Sequence, residues 1–97
     1  MFFETAGTKI LTADGEATAA NIPTRVFSIH IISGGTAGVV SLKNNGASGT
    51  IYVTETGSIN TGKTIYFGTH GMLFPNGCYV DVDANTTSVL LSLRKEV

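Results

Sequence analysis

Thr24-Arg25-Val26-Phe27-Ser28-Ile29-His30-Ile31-Ile32-Ser33 is the run that sets the fold class. Pro23 precedes it and Gly34-Gly35 follows, so a β-breaking residue stands at each end. Within it Phe27, Ile29 and Ile31 alternate with Ser28 and His30. That period of two predicts a half-buried β-strand, with the three apolar residues inward and His30 outward.

Working outward, the same reading repeats. Residues 2–13 form a predicted strand interrupted at Gly7, and Asp14-Gly15 supplies hairpin-turn chemistry. Residues 16–20 read as a returning strand or a single helical turn. Toward the C-terminus, strands are predicted over 38–43, 50–56, 63–68, 72–75, 78–83 and 86–94. Asn44-Asn45-Gly46 and Asn76-Gly77 stand between them, the latter a two-residue hairpin signal. No segment carries a helical stripe, and fourteen threonines suit a pleated, half-buried surface. About eight short strands at regular spacing predict one all-β domain over residues 1–97, an antiparallel β-sandwich of jelly-roll or immunoglobulin-like type. Residues 1–6, with Phe2 and Phe3, are either an N-terminal arm or the start of the first core strand.

Charge narrows the function classes. Charged residues make up 13% of the 97, about half the usual share for a soluble domain. Lys9, Arg25, Lys43, Lys63, Arg94 and Lys95 are scattered and the net charge is −1, so no phosphate-tracking surface is expected. No apolar run is long enough for a membrane helix, and the first residues lack the basic and apolar regions of a signal peptide. A β-rich chain with so little charge either covers its sheet edges or uses them to assemble. Assembly is the expectation taken here.

Few residues suggest chemistry. Asp81, Asp83 and Asn85 form a D-x-D-x-N run like the first half of a calcium loop, but the mid-loop glycine and terminal glutamate are missing. They remain weak metal candidates beside the reading of a strand running into a turn. His30, His70 and the single Cys78 lack zinc spacing and do not sit in a local nucleophile motif. The Gly34-to-Gly38 stretch lacks the lysine of a phosphate loop. No catalytic group and no cofactor are therefore expected. The echo of Thr50-Ile51-Tyr52-Val53 in Thr64-Ile65-Tyr66-Phe67 suggests neighbouring strands with Tyr52 and Tyr66 on one face, a cross-strand pair or a sugar platform. Phe2, Phe3, His30, Tyr52 and Tyr66 are the interface candidates.

Two longer stretches carry a resemblance. Val26-Phe27-Ser28-Ile29-His30-Ile31-Ile32-Ser33-Gly34-Gly35-Thr36-Ala37-Gly38-Val39-Val40 and Phe74-Pro75-Asn76-Gly77-Cys78-Tyr79-Val80-Asp81-Val82-Asp83-Ala84-Asn85 resemble runs in small virion proteins of tailed phages of the marine and cyanobacterial type. The likeness spans residues 24–94. It implies a virion structural protein, assembled in the host cytoplasm, with a capsid decoration or cement role. It also implies a major capsid protein or other virion protein as partner, self-association as a trimer, and no catalytic residues. The alternatives are a receptor- or glycan-binding module of a phage fibre, or a tail or head–tail adaptor.

Overall fold

The computed structural model describes residues 7–96. Nine strands run through them, and no helix does: β1 (Gly7–Leu11), β2 (Gly15–Glu16), β3 (Thr24–Ser33), β4 (Val39–Asn44), β5 (Thr50–Thr56), β6 (Gly62–Tyr66), β7 (Met72–Phe74), β8 (Cys78–Val82) and β9 (Thr86–Lys95). They form two antiparallel sheets. Sheet A has the order β1-β9-β3-β6, with β7 also pairing β3, and sheet B has the order β2-β8-β4-β5.

The pairings read from the outside in. β1 pairs with β9, β2 with β8, β3 with β6 and β7, and β4 with β5. This is one long hairpin rolled so that its successive rungs fall in alternate sheets, with β9–β3 and β8–β4 closing the roll. Such winding is a jelly roll, which decides between the two sandwich types expected.

The core is what alternation requires between two sheets. Val26, Ile29, Ile31, Val89 and Leu91 of sheet A face Val40, Leu42, Cys78 and Val80 of sheet B, with Phe74 among them, all fully buried. A hydroxyl chain ties the layers. Thr18 donates to Thr24 Oγ1 at 2.7 Å, Thr24 donates to the Ile22 carbonyl at 2.8 Å, and the Cys78 N–H donates to Thr18 Oγ1 at 3.0 Å. Each hydroxyl has one proton, and this direction of donation satisfies all three groups.

Several local expectations change. Register shifts between Val26 and Ser28, so Phe27 is an extra residue in β3 and the period of two breaks there. Val26, not Phe27, lies in the core with Ile29 and Ile31. Phe27 is half-buried, 5.5 Å beneath the Arg94 guanidinium. Asp14-Gly15 and Asn76-Gly77 turn the chain but do not join paired strands, since β1 and β7 lie in sheet A and β2 and β8 in sheet B. Among the described residues only the turn after Asn44 closes a hairpin, with Asn45 and Gly46 both at positive φ. The strand read over 2–13 is described only from Gly7 and ends at Leu11, and that read over 16–20 shrinks to Gly15–Glu16.

Candidate functional site: the outer face of sheet A

Side chains opposite one another in an antiparallel pair leave the sheet on the same side. The register therefore lays out the solvent face of sheet A in rows. Arg94, Arg25 and Leu73 make the first, and Thr8, Ser92, Ser28 and Tyr66 the second. The third is Ile10, Leu90, His30 and Thr64, and the fourth Ser88, Ile32 and Gly62. Tyr66 is 79% exposed and Ile10 64%, with Ile32 and Leu73 also open to solvent. His30 shares a 2.7 Å hydrogen bond with Thr64 Oγ1, and its ring lies over Gly62, where a Cβ would come within 2.3 Å of Nε2.

Charge enters this face at one end only. Glu96 is paired with both Arg25 and Arg94, the latter at 3.1 Å. The Arg94 hydrogen bond is the strongest influence on the Glu96 carboxyl; together with Arg25 it outweighs partial desolvation and holds the group below the usual carboxylate range. The opposite solvent face, on sheet B, mixes Val39, Ile51 and Tyr79 with charged and hydroxyl groups. Lys43 and Asp81 pair across it at 3.0 Å, and Ser41 and Thr54 hydroxyls meet at 3.1 Å.

Three further charges stand on edge strands. Lys9 of β1 lies opposite buried Leu91, Lys63 of β6 opposite buried Ile31, and Glu55 of β5 opposite buried Val40. All three charged side chains thus leave their edge strand toward the interior side of the sandwich. β2 has two residues and β7 three, and β5 is bulged at Tyr52. Inward-pointing charge, short edges and bulges are the devices that stop strand addition. The expectation that low charge leaves edges for assembly is thereby redirected: three charges guard the edge strands, and exposed apolar side chains lie on the faces.

The sequence candidates separate accordingly. His30 and Tyr66 come together on the outer face of sheet A, in adjacent rows. Tyr52 does not join them. β5 and β6 lie in different sheets, and the β5 bulge turns Tyr52 onto the Phe74 ring, 5.1 Å between centroids at 27°. The shared platform of Tyr52 and Tyr66 is therefore absent from the fold. Phe2, Phe3 and the 1–6 arm lie outside the described residues.

The calcium-like run does not converge. Asp81 faces Lys43 on sheet B, while Asp83 accepts from Asn85 N–H at 3.1 Å and the Thr86 hydroxyl at 3.0 Å within its own turn. Desolvation, the largest single influence, pushes the Asp83 carboxyl up, yet hydrogen bonds from Val39, Thr86 and Asn85 together hold it below its ordinary value. Among the described residues no three His, Cys, Asp or Glu side chains cluster to hold a metal ion. An open cleft of about 450 Å³ lies between Thr12–Asp14 and Val82–Thr86. Its Asp14 carboxylate accepts the Val82 N–H at 2.7 Å. Burial pushes the Cys78 thiol up to about 12, so it is protonated at neutral pH.

Ile10, Ile32, Leu73 and Leu90 were missed as surface residues. The signal for two of them was present in the doublets Ile31-Ile32 and Leu90-Leu91. In a strand, two consecutive large apolar residues cannot both face one core. The chain matches no protein-family model, and no curated protein matches it.

Proposed function

We propose that this chain is a non-enzymatic structural protein of a tailed-phage particle, a capsid decoration protein that acts by packing against protein. The observation that carries the reading is the group of apolar side chains Ile10, Tyr66, Leu90 and Ile32 among hydroxyls on the outer face of sheet A, on a sandwich whose edges are blunted. Face packing of this kind buries apolar area without exposing unpaired backbone. The jelly roll itself adds little, because it serves capsid proteins, lectins and cupins alike. A glycan-binding role is less favoured, since Tyr66 has no second tyrosine beside it on this face.

In a particle, many modest contacts act together and avidity multiplies them. Quantitative mass spectrometry of purified particles tests the proposal. The expected result is this chain at a fixed ratio to the major capsid protein, retained through density-gradient banding. Its recovery only in the free protein fraction would end the reading.

A further inference from the structure

The second row of the face contains its own complement. Thr8, Ser92 and Ser28 form a line of small side chains across β1, β9 and β3, and Tyr66 stands at the far end on β6, 79% exposed. A knob and a trough thus share one row. Rotating a second copy by 180° about an axis along the β3–β9 seam brings its β6 over the first copy's β1. Each tyrosine then meets the other copy's small residues, and no tyrosine meets a tyrosine. The row stands second of four, near the middle of the face, where the roughly 30° crossing of packed sheets displaces side chains least.

β3 and β9 are ten residues each, β1 and β6 five and β7 three. At about 3.3 Å per residue and about 4.8 Å per strand, the face covers roughly 500 Å². Two such faces bury about 1,000 Å² together, the least that a specific interface needs, and only with good complementarity. An isologous contact needs complementarity with itself, and the second row provides it; in the first row Arg25 comes over Arg94 of the second copy, with Glu96 of each copy beside them.

We propose that the outer face of sheet A pairs with the same face of a second copy about a twofold axis along the β3–β9 seam, seating Tyr66 of each chain in the Thr8–Ser92–Ser28 trough of the other. This rests on the structural reading above and names its partner surface. The dimer is the unit that would decorate a particle.

Disulfide trapping with light scattering tests it. In one chain Thr8 and Tyr66 lie three strand spacings apart, about 14 Å, too far for a bridge within the chain. In the twofold pair they face each other. The double variant Thr8→Cys, Tyr66→Cys is expected to form a reducible covalent dimer under mild oxidation, while each single variant does not. Wild-type protein is expected at twice the 10.1 kDa chain mass, and Tyr66→Lys at the single mass with an unchanged circular dichroism spectrum. A wild type that stays at the chain mass at high concentration, or runs as a trimer, would overturn the pairing. So would a dimer that survives Tyr66→Lys and does not trap. A monomer still found on particles would sink the dimer and leave the decoration role intact; a trapped dimer absent from particles would do the reverse.

Discussion

Thr18 illustrates how one hydroxyl can hold two layers together. It lies between the sheets and satisfies the Cys78 N–H, which faces the core. Replacing it by valine keeps the shape and removes the acceptor, leaving a buried donor unpaired. Thr18→Val is expected to lower stability by about 1–3 kcal/mol in urea unfolding. Loss much below that would mean that water reaches the Cys78 amide. Glu96 makes the corresponding electrostatic point. Its folded-state pKa lies below the unfolded value, so its pairing with Arg94 and Arg25 stabilises above the unfolded pKa and fades as pH falls through the folded one. Melting temperature is expected to fall on acidification below about pH 4.5. In Glu96→Gln that part of the fall should be smaller. Identical pH profiles would show that the pair contributes nothing.

At the scale of the strand, alternation told much and pairing little. The apolar periodicity placed Ile29 and Ile31 inward, and both are fully buried. It misplaced Phe27, because a bulge adds a residue without marking the sequence and reverses the parity before it. Turn chemistry behaved similarly. Asn76-Gly77 bends the chain as its composition demands, with Gly77 at φ 93° and a Cβ there 2.3 Å from the Ala19 carbonyl oxygen. Whether such a bend joins partners or crosses between sheets depends on contacts distant in sequence. That is also why the echo around Tyr52 and Tyr66 misled: similar strands landed in different sheets. The edge charges give a prediction at this scale. The double variant Lys9→Val, Lys63→Val should aggregate faster on mild heating while its melting temperature changes little. Light scattering equal to wild type would show that these lysines do not guard the edges.

The whole molecule has two mixed solvent faces. Sheet B presents the Lys43–Asp81 pair and hydroxyls beside Val39, Ile51 and Tyr79, and sheet A presents Ile10, Leu90, Ile32 and Tyr66 around His30, with Arg25 and Arg94 at one end. Composition foretold the shortage of charge but not its placement, since the sum does not say which side of a strand a lysine leaves from. Of the interface candidates read from sequence, His30 and Tyr66 lie on the proposed face, Tyr52 does not, and Phe2 and Phe3 lie outside the described residues. Three isoleucines provide a direct test. Ile10 is 64% exposed in the single chain, Ile59 57% and Ile51 55%, so their free reactivities should be alike. Only Ile10 lies on the outer face of sheet A. The measurement is hydroxyl-radical footprinting of the native assembled protein, read residue by residue. Oxidation of Ile10 at a small fraction of the rate at Ile51 and Ile59 is the expected result, and equal rates at all three would contradict the claim that this face is covered.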